Sequence, residues 1–501
     1  MTLRPYQQRA VDSVVAGWGE WKSQLGVAAT GAGKTVIFSH LAAGESGRTL
    51  ILAHRQELVN QAVQKLHDAT GIFATVERGS CRAIPGHGVV VGSVQSMRRR
   101  LAKYPADAFG LVICDEAHHS LSPEWSAVIE HFSTARLLGV TATPDRSDKR
   151  NLGKLFQNVA FEIGLLELIA EGHLVPLRAC KLDVEVDVGM KSALRRKKDV
   201  SEDEASEAVN ARIVALARAL AVELWDRKGL VFLPRCDVSE HFAELLRAEG
   251  IDARHIAGNS PDRAEILAWF EAPGHKVLCN AMLLTEGYDC PPVDAICCLR
   301  PTTSRSLYAQ IIGRGTRTYP GKDHCLILDP LWLSGDLNLC KPADLVAAGE
   351  DHREALQKHL DTGMMLSEAE LLARADVEEL MASRLKQARR KKAPKGMVDP
   401  LAWAVGIHDS DLMEWEAVMP WEEEAPTAEQ VKELTTWGLW AEGETMTRGY
   451  AIKLLERVKM RDALGLATPK QVALLRRLGE PNADVMSKAQ AGAFFSRRIR
   501  R

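Results

Sequence analysis

At 501 residues with 46% apolar composition, the chain is long enough for several domains and rich enough in apolar side chains to bury a core in each. A net charge of -2 excludes an overall basic polyelectrolyte, so any nucleic-acid contact must come from a local patch. The ten cysteines follow no disulfide-framework spacing and include no CxxC pair, and neither a secretory segment nor a bilayer-length apolar run is visible; the expectations are a reducing, cytoplasmic setting, no zinc module and no membrane partner.

In chain order, QLGVAA (24–29) reads as a short buried strand and VIFSHLAA (36–43) as a helix. The overlapping loop AATGAGKT (28–35) follows GxxxxGK[ST], with Ala28 in the first glycine position. Gly31 and Gly33 lack a Cβ, so the backbone N–H groups from Thr30 through Gly33, including Ala32, can wrap an anion. A helix starting near Lys34 aims its positive end at the same anion. The Lys34 ammonium would reach the outer phosphates, and the Thr35 hydroxyl would ligate Mg²⁺. A chance glycine-rich turn is the competing reading, and the strand–loop–helix context argues against it. Further on, LVICDEAHH (111–119) begins with an apolar run suited to a central parallel strand. Asp115 stands at its C-terminal end, where open α/β sheets bind ligands, and would hold Mg²⁺ through water. Glu116 would polarise the attacking water. Together the two segments predict hydrolysis of a nucleoside triphosphate coupled to work.

The segments LRPYQQRAV, ILAHRQELVNQA, VGSVQS, GVTATP, LLTEGYDCPPVDA and QIIGRGTR complete an ordered series. With them the chain resembles the superfamily 2 helicases and translocases of the DEAH/DExH type, over roughly residues 1 to 335, and within them most the RadD/XPB-like group. The resemblance implies two tandem RecA-like P-loop domains with parallel sheets, followed here by a mainly α-helical C-terminal region. It implies ATP and Mg²⁺ as cofactors and DNA, single-stranded or branched, as partner, with RNA as an alternative. By resemblance Arg4 would stack on the adenine and Gln7 would read its edge. Thr141 and Thr143 would couple hydrolysis to lobe movement, and His118 would link the metal site to the Gln310 region. Glu286, Gly287 and Asp289 match the fifth motif, with Gly287 and Asp289 expected at the nucleotide. Gln310, Arg314 and Arg317 match QxxGRxxR, and the two arginines would reach the γ-phosphate across the cleft. Proteins of the RadD type also carry a zinc module, which the cysteine spacing does not support.

These motifs divide the chain into a first lobe (1–170), an inter-lobe connection (171–208), a second lobe (209–335), a helical and basic linker region (336–425) and a C-terminal module (426–501). The connection holds the basic cluster Arg195 to Lys198, and the linker region holds RLKQARRKKAPKG; each is either a phosphate contact or a solvated charge run. PWEEEAP reads as an acidic linker. The module contains a repeat: Thr427 pairs with Thr468, Gln430 with Gln471, Leu434 with Leu475, Gly438 with Gly479, Met446 with Met486 and Ala451 with Ala491. Each unit predicts a threonine-capped helix ended by glycine and then a second helix. A protein partner for this module and a nucleic-acid contact are both open.

Overall fold

A computed structural model describes residues 2–54, 56–142, 152–182, 184, 206–207, 209–258, 260–281, 283–285, 288–330, 339–347, 349–387, 397–413, 415, 417, 420–440 and 446–499. They form two compact units, one of Met1–Val346 with Gln357–Ala369, the other of Ala347–Leu356 with Glu370–Arg501.

The first unit is built on two parallel sheets. The first sheet comprises β1 (Ser23–Ala28), β2 (Thr49–Ala53), β3 (Thr75–Glu77), β4 (Val89–Ser93), β5 (Leu111–Asp115), β6 (Arg136–Thr141) and β7 (Asn158–Ile163). Its order is β3-β4-β2-β5-β6-β1-β7. The strands β2, β4 and β5 are buried along their whole length, which is why their sequences are continuous apolar runs rather than alternating ones. Helices α1 (Pro5–Gly17), α2 (Lys34–Gly44), α3 (Gln56–Thr70), α4 (Val94–Arg100), α5 (Pro123–His131) and α6 (Leu165–Ala170) belong to this lobe. Its largest core joins Tyr6 and Val14 of α1, Ile37 and Phe38 of α2, and Ile51, Ile113 and Val140 of the strands.

The second sheet comprises β8 (Leu177–Leu182), β9 (Gly229–Phe232), β10 (Ala253–Ile256), β11 (Val277–Asn280), β12 (Ala295–Cys298) and β13 (Cys325–Pro330), in the order β10-β11-β9-β12-β13-β8. Helices α7 (Ile213–Leu224), α8 (Cys236–Ala248), α9 (Arg263–Glu271) and α10 (Arg305–Ile312) accompany it. Helix α7 buries Leu216, Ala217, Leu220, Ala221 and Leu224, one stripe at helical spacing. The two-sheet α/β architecture with a helical C-terminal region is the one expected. One segment differs. The stretch 171–208 was expected to be a connection, yet β8 lies in it and pairs in parallel with β13, from Leu177 opposite Cys325 to Leu182 opposite Pro330. Its charge misleads because β8 is an edge strand, where Arg178 is exposed while Leu177, Ala179 and Leu182 are buried. The cluster Arg195 to Lys198 lies outside the described residues.

The second unit is helical. It takes in parts of α11 (Glu350–Leu360) and α12 (Leu366–Gln387), then α13 (Pro400–Gly406), α14 (Ser410–Met413), α15 (Ala428–Trp437), α16 (Arg448–Ala463), α17 (Pro469–Arg477) and α18 (Lys488–Ile499). The repeat is visible in the backbone. Thr427 and Thr468 each accept from the glutamine N–H three residues on, and Gln430 and Gln471 return the bond, giving two matching capping boxes. Gly438 and Gly479 follow at φ 76° and 81°. Leu434 with Leu475, and Ala451 with Ala491, are fully buried in one shared core. That core corrects the boundary drawn at 426. Trp403, Ala404, Ile407 and Leu412 are part of it, and Arg476 donates Nε to the Gly406 carbonyl at 3.0 Å. The acidic linker is likewise structured: Pro420–Glu423 is a 3-10 turn, and Arg448 N–H donates to the Glu424 carbonyl at 2.6 Å. A single hairpin has too little surface to bury its own face, so upstream helices complete the core. The residues 388–396 of the basic stretch lie outside the described residues.

Candidate nucleotide site

The glycine loop lies between the end of β1 and the start of α2, as the sequence places it. Gly31 and Gly33 have φ of 98° and 77°, a region that side chains strain to enter. Space enforces the same choice. A Cβ on Gly31 would stand 2.5 Å from Arg317 Nη1 and 2.8 Å from Leu174 Cδ2. Lys34 opens α2 and donates Nζ to the Ala28 carbonyl at 3.3 Å, so it lies back along the loop. Burial pulls its pKa below that of an ordinary lysine, and the charges of Glu116 and Asp115 oppose the shift. Thr35 follows in the first turn of α2, half-buried.

Asp115 ends β5, and Glu116 follows at φ 54°, the left-handed region that is rare outside glycine. Both are buried, and Glu116 N–H donates to Asp115 Oδ1 at 3.1 Å. Burial, and then the neighbouring Glu116 charge, push the Asp115 carboxyl well above the usual carboxylate range, with Lys34 opposing. Among the described residues, Glu116 Oε2 has no hydrogen-bond donor. His118 Nδ1 stands 3.5 Å from that oxygen and 3.3 Å from Thr141 Oγ1 at the end of β6. The expected link from His118 to the Gln310 region is therefore drawn to Thr141 instead; among the described residues Gln310 Nε2 is buried without a partner. Thr143, Glu286 and Gly287 lie outside the described residues.

The second lobe contributes the segment that follows α10. Arg314 donates Nε to the Thr285 carbonyl at 3.1 Å and Nη1 to the Tyr288 carbonyl at 2.7 Å. Arg317 donates Nε to Asp289 Oδ1 at 3.1 Å, while its Nη1 is buried without an acceptor among the described residues. The lobes meet here. A Cβ on Gly313 would stand 2.3 Å from Thr30 Cγ2, and Thr30 Oγ1 is itself buried and unpartnered among the described residues. Residues 171–175 fasten the same segment: Val175 N–H donates to the Thr316 carbonyl at 2.9 Å, and Leu174 bridges to Arg317.

At the N-terminus, Arg4 is exposed and Gln7 buried. Gln7 Oε1 accepts from Arg4 N–H at 3.0 Å, and its Nε2 donates to the Ala32 carbonyl at 3.1 Å. The Tyr6 hydroxyl donates to the same carbonyl at 2.9 Å. Sequence reasoning passed over Tyr6 and Leu174, both of which bear on the loop. The signal for Tyr6 was an aromatic beside the Gln7 already singled out; Leu174 had none, because its contacts are distant in sequence.

A ligand suited to this cleft must satisfy buried groups of both signs. Thr30 Oγ1 and Arg317 Nη1 can donate toward the glycine loop, as phosphate oxygens require, while Glu116 Oε2 can accept from a water. The adjacent buried acids Asp115 and Glu116 fit a divalent cation, whose charge would relieve their mutual repulsion. Fold and site thus define a two-lobed protein of the P-loop class. Residues 1–146 match the family model of the type III restriction enzyme res subunit, and residues 212–319 that of the helicase conserved C-terminal domain. The IRC3 protein of Saccharomyces cerevisiae, named as an ATP-dependent helicase, is 32% identical over 352 residues, covering 65% of this chain and 51% of that protein. The DNA 3'-5' translocase XPB2 of Sulfurisphaera tokodaii is 29% identical over 149 residues, covering 30% of this chain and 32% of that one. Among solved structures, the ATP-dependent type ISP restriction-modification enzyme LlaBIII bound to DNA aligns with a TM-score of 0.53 at 16% identity, over 98% of this chain and 41% of that one. The chain belongs to the superfamily 2 helicases. It spans about half the length of its two yeast relatives, the second being from Schizosaccharomyces pombe.

Proposed function

We propose that the chain is an ATP-dependent motor that moves on DNA or unwinds it. The observation that supports this reading best is the convergence of buried, unpartnered groups from both lobes, Thr30 Oγ1 and Arg317 Nη1, on one glycine loop, with Glu116 Oε2 unpartnered at the adjoining end of β5. Lys34 and the loop N–H groups hold the phosphates. Thr35 and Asp115 would hold Mg²⁺, which when bound neutralises phosphate charge. Glu116 polarises the attacking water, Arg314 and Arg317 meet the charge that develops in the transition state, and Asp289 positions Arg317. Arg4 and Gln7 border the base. Because Arg317 sits on the second lobe and its target on the first, the reactive arrangement exists only when the lobes are together, and hydrolysis therefore couples to their separation. The DNA preference rests on the named activity of the translocase relative and on the DNA-bound restriction enzyme of like fold. The match of residues 1–146 to a restriction-enzyme subunit favours one second reading, translocation along duplex without strand separation.

The test is ATPase activity measured side by side with single-stranded, duplex and forked DNA and with RNA. DNA is expected to stimulate turnover. Lys34→Ala is expected to reduce it to background. Glu116→Gln is expected to keep ATP binding while turnover falls by about 10²–10⁴. Wild-type turnover in Glu116→Gln would remove the assigned base, and stimulation by RNA alone would overturn the DNA reading.

A further inference from the structure

The second unit contains two copies of one hairpin that share a fold and differ in charge. Residues 427–466 carry six acidic and six basic side chains; residues 467–501 carry eight basic and two acidic ones. Four of the six cations of the first copy meet a carboxylate, two of these carboxylates lying just upstream of the copy, and among the described residues Lys432 and Arg461 form no ion pair. Arg448 pairs with Glu424 at 3.3 Å, Lys453 with Glu456 at 3.2 Å, Arg457 with Asp409 at 2.5 Å and Lys459 with Glu433 at 3.0 Å. In the second copy Arg476 pairs with Asp484 at 3.0 Å and Lys488 with Asp462. Lys470, Arg477 and Arg497 are exposed, and among the described residues none of them meets a carboxylate.

Helix physics does not account for the difference. Lys470 stands in the first turn of α17, where the positive end of the helix disfavours a cation. The first copy has Glu429 at the matching place, as that field prefers. Lys470 and Arg477 are seven residues apart, so they share one face of α17. Their separation along the axis is about 10.5 Å, or about three nucleotides of strand rise. Arg498 Nη1 donates to the Leu478 carbonyl at 2.8 Å, which brings the basic end of α18 beside Arg477. The first copy has Thr436 where the second has Arg477.

We propose that the second hairpin, through Lys470, Arg477, Arg497 and Arg498, is a docking surface for the phosphate backbone of DNA, and that the first hairpin, in which acidic and basic side chains balance, is its structural counterpart. The proposal rests on the reading of the motor as DNA-directed. Its contacts are to phosphate, so it confers affinity without sequence preference. It supplies a second, nucleotide-independent hold on the strand, raising the effective concentration of DNA at the motor while the lobes are apart.

The experiment uses the full chain and gives the second hairpin the residues of the first: Lys470→Glu with Arg477→Thr. Both positions are exposed and Glu suits a first helical turn, so the fold is expected to persist, with circular dichroism as the check. The mirror variant, Glu429→Lys with Thr436→Arg, adds the charges to the first copy. Binding of labelled single-stranded and duplex DNA is measured without nucleotide across a salt series, together with basal ATPase. The charge-removing variant is expected to lose about 1.4–1.8 from the slope of log affinity against log salt, and roughly 10- to 30-fold in affinity near 0.15 M salt. Basal ATPase is expected to stay within twofold, and the mirror variant to bind more tightly. An unchanged slope and affinity in a wild type that does bind DNA would overturn the docking surface alone. Failure of the wild type to bind DNA, with or without nucleotide, would overturn the motor reading as well. Loss of binding to phosphatidylserine vesicles with DNA binding intact would assign the patch to a membrane surface and overturn the proposal.

Discussion

The two lobes prepare their site residues in opposite ways. The first holds Thr30 Oγ1 and Glu116 Oε2 buried with no hydrogen-bond partner among the described residues, and keeps Glu116 in a left-handed backbone conformation. The second ties its arginines down: Arg314 bonds the Thr285 and Tyr288 carbonyls, and Arg317 bonds Asp289, while Arg317 Nη1 is buried with no acceptor among the described residues. A buried polar group without a partner costs about 1–3 kcal/mol, and a sparsely populated backbone conformation adds a similar amount. The first lobe therefore stores the cost of waiting for a ligand. The second lobe, although Gln310 Nε2 and Arg317 Nη1 are buried without partners among the described residues, already engages both arginines and has to exchange existing bonds to turn them to a ligand.

The largest test of that contrast is to separate the two arginines. Arg317→Ala removes a group with a bare donor, and kcat is expected to fall by about 10³–10⁵ with nucleotide affinity changed far less. Arg314→Ala also strands two carbonyls of its own lobe, so kcat, affinity and melting temperature are expected to fall together. Identical kinetic and thermal profiles for the two variants would erase the distinction.

A smaller effect probes the contact itself. Gly313→Ala places a methyl 2.3 Å from Thr30 Cγ2 and forces the lobes apart locally. With reacting groups displaced by about 1 Å, kcat is expected to fall on the order of 10²-fold, while binding to the first lobe is kept. Single-turnover and nucleotide-binding measurements separate the two; undiminished kcat would mean that the closed contact is not the reactive one.

The smallest effect on activity is expected at Glu77, a buried glutamate of the first lobe that contrasts with Glu116. Glu77, unlike Glu116, is fully partnered by the Tyr104 hydroxyl at 2.7 Å, by Ala83 N–H at 2.9 Å and by Arg100. Burial raises its pKa, but these donors outweigh it and leave the carboxyl below the usual glutamate value. Such a depressed acid stabilises the fold above its unfolded pKa, and that stability is lost as pH falls through the folded value. Glu77→Gln is expected to cost about 3 kcal/mol at neutral pH, with the gap to wild type closing below about pH 4.3 and ATPase changed little. Glu116→Gln, which breaks no hydrogen bond to its side chain, is expected to leave thermal stability unchanged. Melting temperatures across pH decide both, and a large loss for Glu116→Gln would show that its carboxylate is structural.

Much of this was legible because it is local. The strand–loop–helix around Lys34 and the strand ending at Asp115 are short patterns of glycine and apolar residues, and their placement follows from them. The capping boxes at Thr427 and Thr468 are equally local. What the sequence did not disclose depends on partners far along the chain. The charged segment holding Arg178 pairs as β8 only because Cys325 to Pro330 lies beside it. Trp403 reads as part of a linker until the repeat helices supply its core. The φ of Glu116 has no sequence signature at all, since glutamate gives no hint of a left-handed backbone.

The placement of β8 bears on how the chain can be divided. It lies at the rim of the second sheet, outside β13, although the second lobe was drawn from residue 209 onward. A fragment beginning there would leave one side of β13 with its backbone N–H and C=O groups unclaimed, along the apolar stretch Cys325 to Leu328. Such a rim is a template for strands of other molecules, and intermolecular aggregation follows from it. For an isolated second lobe to remain soluble, its first residue has to precede Leu177, so part of what appears to join the lobes travels with one of them.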